Sequence, residues 1–141
     1  MDSTVNTDLL IDDLKSEFIA LSDQIWDVPE IRYQEQQSVE LQIAALAQAG
    51  FTITRNVANI PTAFMAEAGS DGPVIGFLGE FDALAGLSQQ AGIAEKRPIE
   101  DGGNGHGCGH NLLGSGAMLA AVATRDHLAQ TGMSARVRYY G

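Results

Sequence analysis

The chain has a single cysteine, so no internal disulfide can form and secreted, disulfide-stapled scaffolds are excluded. Basic residues are also scarce. Eight Lys and Arg stand against eighteen Asp and Glu, a formal net charge of -10, which argues against nucleic acid as a partner because phosphate binding needs clustered cations. No apolar run is long enough to span a bilayer; even Leu112 to Val122 is broken by Gly114, Ser115 and Gly116. The start, Met1 to Asp8, lacks the basic residues and apolar stretch of a signal peptide. These absences point to a cytoplasmic chain with neither nucleic acid nor membrane among its partners. What is present, 141 residues with 45% hydrophobic content, suffices for one core, in one domain or one piece of a larger domain.

Leu10, Leu14, Phe18, Leu21 and Ile25 recur at spacings of three and four with charges between them, which predicts an amphipathic helix ended by Pro29. A second helix is expected from about Glu35 to Ala49, with Gly50 turning the chain. Around Phe51 the period changes to two. Phe51 with Ile53, then Phe64 with Ala66 and Ala68, read as short strands on either side of Asn59-Ile60-Pro61. After the turn Ser70-Asp71-Gly72-Pro73, the continuous apolar run Val74 to Gly79 predicts a strand buried on both faces. Residues from about Gly86 to Gly105 carry no periodicity and form a long loop. A third helix is expected from Asn111 as N-cap to about Ala129, closed by Gly132, and a last strand from Ala135 to Tyr140. Strand, loop, helix, strand is the order that builds an α/β fold, here a mainly parallel sheet flanked by helices, with ligand sites beyond the carboxyl ends of its strands.

The chemistry gathers in Gly105-His106-Gly107-Cys108-Gly109-His110. A lone buried cysteine is usually packing and a lone histidine a satisfied hydrogen bond. Three such residues at alternate positions in a glycine loop differ: an extended segment would put His106, Cys108 and His110 on one side, and imidazole and thiolate are ligands that zinc favours. A thiol activated by a neighbouring histidine is the rival reading. Glu80 and Asp82 place two carboxylates at alternate positions after the apolar strand, either as a solvated strand end or, for Asp82, as a group orienting a histidine ligand. His127 is explained by the end of its helix, and Trp26, Tyr139 and Tyr140 by packing.

These segments resemble the M20 family of metallopeptidases and amidohydrolases, in the branch with a cysteine ligand. The resemblance runs through Gln24 to Asp27, Pro29-Glu30, Glu35, Gly50-Phe51-Thr52, Asn59-Ile60-Pro61 and Gly79 to Leu84. It is most specific in Ala85 to Gly92 and in Asn104 to Gly114. It implies a zinc-peptidase-like catalytic domain, with residues 1–141 as its N-terminal portion. The implied activity is metal-dependent hydrolysis of an amide, such as one joining a p-aminobenzoyl group to glutamate, or of a related N-acyl amino acid or dipeptide. Cys108 and His110 match the family's first two metal ligands. Asp82 matches the acid residue that supports a ligand and is the catalytic assignment, while His106 and Glu80 stand behind the ligands. Glu80 occupies a position where many relatives have Asp, and Ala85 one where they have Pro.

By the same resemblance the cofactors are two divalent ions, zinc or manganese, and the partners are a small amide or dipeptide substrate with either a second copy or a paired A-type subunit. The family's paired glutamates, later histidine ligands and lid domain follow beyond the strand that here finishes at Tyr140-Gly141. Residues 1–141 alone are therefore expected to bind metal weakly and to be inactive. Two other readings stand beside this one. One is a short metal-binding or regulatory module without catalysis. The other is a hydrolase with Cys108 as nucleophile, which alkylation would abolish and a chelator would not.

Overall fold

The computed structural model describes residues 7–141. Residues 1–6, on which most of the signal-peptide reading rests, lie outside the described residues. Helix α1 (Thr7–Trp26) follows its periodicity: Phe18, Leu21 and Ile25 are buried, while Asp12, Asp13, Lys15 and Glu17 face solvent. Helix α2 (Gln36–Gln48) buries Val39, Ile43 and Leu46, and Gly50 beyond its end has φ +85. Its N-terminus is satisfied from a distance. The Glu30 carboxylate accepts the backbone N–H of Gln37 (2.9 Å) and Ser38 (2.8 Å) and the Ser38 hydroxyl (2.9 Å), putting negative charge where the helix dipole favours it.

The strands are β1 (Thr52–Arg55), β2 (Phe64–Ala68), β3 (Val74–Leu78) and β4 (Arg136–Tyr140), in the sheet order β1-β2-β4-β3. Helix α3 (His110–Thr131) connects β3 to β4. The α/β class holds, but the sheet is mixed and not mainly parallel: β1–β2 and β2–β4 are antiparallel, and β3–β4 is parallel. A parallel pair needs a long crossover, and among the described residues only β3 and β4 have one, supplied by the 79–109 loop and α3.

Two further expectations change. The apolar run of β3 is not buried on both faces: it forms an edge of the sheet, and Val74 is 40% and Leu78 77% exposed. Helix α3 begins at His110 with Gly109 as its left-handed cap, not at Asn111. Asn111 is instead buried, its amide donating to the Ser22 hydroxyl at 3.0 Å, so a tertiary contact uses the side chain that local preference assigned to a cap. Gly132 ends α3 with φ +70, as its position predicted.

All three helices share one core with Phe64 and Ala66 of β2 and Val137 and Tyr139 of β4. These strand residues alternate, so the helices cover one face of the sheet. The other face carries the Glu67–Arg138 ion pair across the β2–β4 register. Full burial of a side chain such as Ile25 or Leu46 contributes roughly 1.5–3 kcal/mol. Among the described residues no helix is long and apolar enough to cross a membrane.

Candidate metal centre

Beyond Leu78 the chain is tied down at Gly79, Ala83 and Leu84. The Gly79 N–H donates to the Tyr140 carbonyl at 2.9 Å, extending the β3–β4 ladder. The Ala83 N–H donates to the Glu30 carbonyl at 2.7 Å, and Leu84 and Gly105 exchange two backbone bonds of 3.0 Å each. Phe81 points into the core, so Glu80 and Asp82, on either side of it, share the opposite side. Gly114 of α3 lets the helix come close beneath them: a Cβ there would lie 2.6 Å from the Glu80 carbonyl oxygen and 2.7 Å from Gln42 Nε2. Gln42 is itself fixed, accepting the buried Tyr139 hydroxyl at 2.9 Å, and burial pushes that phenol well above its usual range.

His110 opens α3 directly opposite this segment. Its Nδ1 lies 2.6 Å from Asp82 Oδ1 and its Nε2 lies 2.9 Å from Glu80 Oε2. One ligand atom from each of the three residues falls within 4.8 Å of the others. The electrostatics of this triad are unusual for a neutral ring. Imidazole has one N–H, and ionised carboxylates only accept, so both contacts are favourable only if the ring carries a second proton or a cation lies between a ring nitrogen and its carboxylate. With Asp82 holding Nδ1–H, the Nε2 lone pair and Glu80 form a nitrogen and oxygen donor set of the kind zinc and manganese accept. The 98–124 stretch contains no Lys or Arg to compete for the carboxylates. The residues present therefore fit a divalent cation.

The other two residues of the glycine loop are placed differently from each other, and the expectation of a shared side is corrected. Gly109 has φ +82, and its N–H closes a turn onto the His106 carbonyl at 3.3 Å, so the segment is not an extended strand with alternating side chains. His106 is buried, with Nε2 3.1 Å from the Ile25 carbonyl and its ring stacked on Trp26 at 6.2 Å. Burial pushes its imidazole below the ordinary value, partly offset by that bond. Cys108 is exposed and lies outside the three-residue cluster. Glu80, placed behind the ligands by the sequence, is by contrast in the cluster itself.

A cavity of about 200 Å³ adjoins the carboxylates, lined by Glu80, Asp82, Tyr33, Thr62 and the buried Glu35, whose carboxylate accepts the Thr62 hydroxyl at 2.8 Å. Nothing in the local sequence marked Glu35 or Thr62 as neighbours of the site. A groove of about 1040 Å³, lined mainly by residues of α1, α2 and their connection, shares Tyr33 and Thr62 with this cavity but contains none of Glu80, Asp82 and His110.

No family model matches the chain. Over 127 residues it is 54% identical to the B-type subunit of p-aminobenzoyl-glutamate hydrolase from Escherichia coli K12, a match covering 90% of this chain and 26% of that protein. The M20 resemblance holds. The Xaa-Arg dipeptidase of Mus musculus is 30% identical over 132 residues, covering 84% of this chain and 26% of its own. A dinuclear metal-binding peptidase of the M20 family from Bacillus subtilis superposes with a TM-score of 0.74 at 23% identity, over 92% of this chain and 35% of that one. The chain thus spans about a quarter of the length of the curated relatives it matches.

Proposed function

We propose that residues 1–141 form the N-terminal portion of an M20-type catalytic domain, and that the protein of which they are part is a metal-dependent amidohydrolase. Its substrate would be p-aminobenzoyl-glutamate or a related N-acyl amino acid or dipeptide. The observation that carries this reading is the grip of Asp82 and Glu80 on the two nitrogens of His110 at the carboxyl end of β3. The 54% identity to the Escherichia coli hydrolase supports it and suggests the substrate.

In this reading His110 and Cys108 hold divalent metal, with zinc and manganese as the candidates, in a site for two ions. When bound, the metal supplies Lewis-acid polarisation of the scissile carbonyl and activation of water. Asp82 fixes the ring of His110 with the proton on Nδ1 and the lone pair on Nε2, which also raises the basicity of that nitrogen. Glu80 adds negative charge on the Nε2 side. Cys108, exposed in a loop flanked by Gly107 and Gly109, is free to turn its thiolate toward a cation without a Cβ clash from its neighbours. The general base and the remaining ligands would come from elsewhere in the parent protein, so these residues alone should bind zinc weakly and leave the amide intact. The partner would be an A-type subunit or a second copy, and the compartment the cytoplasm.

Calorimetric zinc titration of residues 1–141 beside the parent protein, with hydrolysis of p-aminobenzoyl-glutamate measured on both, tests this. The expected result is tight binding and turnover by the parent only. Full activity of the parent after exhaustive chelation, abolished by thiol alkylation, would favour the cysteine-nucleophile reading instead.

A further inference from the structure

We propose that His106 is a positioning residue that presents Cys108 to the metal, acting through one hydrogen bond to the end of α1. The proposal rests on the reading of Cys108 and His110 as ligands and adds a residue that sets their geometry. His106 is 5% exposed, and among the described residues its ring makes one hydrogen bond, from Nε2 to the Ile25 carbonyl at 3.1 Å, while Nδ1 is buried without one and Asp82 acts on the ring only through space. A carbonyl only accepts, so the proton sits on Nε2 and the tautomer is fixed. Ile25 lies in the last turn of α1, where carbonyls lack partners within the helix, and this one also accepts the Val28 N–H at 3.2 Å. Trp26 stacks on the ring with an interplanar angle of 30°, which restricts its rotation.

The backbone of His106 is constrained as firmly as its ring. On one side Gly105 is zipped to Leu84, two residues from Asp82, and on the other the His106 carbonyl accepts the Gly109 N–H that closes the turn around Cys108. The ring thus anchors the single residue joining the Asp82 zipper to the Cys108 turn. Releasing it would free that turn while leaving the His110–Asp82 contact in place.

The test compares His106→Gln with His106→Asn in the full chain. The glutamine amide reaches about as far as imidazole Nε2 and can donate to the Ile25 carbonyl; the asparagine amide is one methylene shorter and cannot. Cobalt(II) is titrated into each variant, and both affinity and the thiolate-to-cobalt charge-transfer absorption are recorded, with thermal unfolding alongside. The expected result is a loss of about 10- to 100-fold in cobalt affinity for His106→Asn, with the thiolate band weakened, and recovery of both in His106→Gln. Wild-type behaviour of His106→Asn would overturn the proposal, as would equal losses in the two variants, including by unfolding together; both leave the metal-site reading intact. Cobalt binding by the unmutated chain without a thiolate band would overturn Cys108 as a ligand and this proposal with it.

Discussion

Replacing Asp82 by alanine and by asparagine separates the two things this carboxylate does for His110. The 2.6 Å contact is largely shielded, with the Asp82 side chain 23% and the His110 side chain 19% exposed, so screening by water removes little of its strength. A hydrogen bond to a charged group contributes about 1.5–3 kcal/mol and a neutral one about 0.5–1.5 kcal/mol. Asparagine keeps an acceptor oxygen for Nδ1–H and loses the charge, a difference of about 1 kcal/mol, or roughly fivefold in metal affinity. Alanine removes the acceptor as well. The ring is then free to take the other tautomer, and the loss should be about 10- to 100-fold. The assay is zinc calorimetry on the parent protein, unmutated and with each substitution, with thermal unfolding to confirm that each is folded. Equal losses in the two variants would mean that charge alone matters and that orientation of the ring does not. An Asp82→Ala loss of less than about twofold would remove Asp82 from the site altogether.

Glu30→Ala deletes all three bonds that hold the start of α2 and leaves the buried Ser38 hydroxyl without its partner, at a cost of about 2 kcal/mol. For a chain of this size that is a fall of about 6–8 °C in Tm by circular dichroism, and a fall under about 2 °C would contradict the cap. Gly114→Ala should cost about 1–3 kcal/mol and weaken zinc binding together, because its Cβ meets the Glu80 carbonyl and Gln42. Gly116→Ala, with open space around it, should be neutral or slightly stabilising; similar melting curves for the two would refute the close approach. In the parent enzyme, Cys108→Ala is expected to cost far more activity than His127→Ala, since Cys108 matches a ligand and His127 lies on α3 outside the cluster. Comparable loss of kcat/KM would mean that the site has been misplaced.

The helices were legible because their information is local. Spacing of Phe18, Leu21 and Ile25 shows directly which face of α1 is buried, and Gly50 and Gly132 mark ends because their left-handed backbone is needed there. Residue types at the site were legible for a similar reason: imidazole, thiolate and carboxylate in a glycine setting belong to few chemistries. Geometry was not. Alternate spacing implies a common side only while the backbone is extended, and the positive φ of Gly109 breaks that condition between Cys108 and His110. Nor can an apolar run reveal its neighbours. Val74 to Leu78 has the composition of a strand covered on both faces, but coverage depends on which elements pack there, and among the described residues β3 has a strand on one side only.

The arrangement around Asp82 explains how a site assembled from distant segments can be ordered before any ion binds. The segment from Gly79 to Leu84 has no helix or full strand of its own, so by itself it would leave Glu80 and Asp82 free to separate under mutual repulsion. It is held instead by backbone bonds to three separate places: Tyr140 at the end of β4, Glu30 between α1 and α2, and Gly105 before the cysteine loop. Glu30 matters twice, because the residue whose carbonyl holds Ala83 also anchors α2 through its carboxylate. Each tie restrains the segment at a different point, so the conformational entropy lost in bringing the carboxylates to His110 is offset during folding and not at the moment of metal binding. It follows that a change displacing one of these backbone ties, such as Gly105→Ala, whose Cβ would lie 2.0 Å from the Leu87 carbonyl oxygen, should weaken metal binding in a zinc titration through the positions of Glu80 and Asp82.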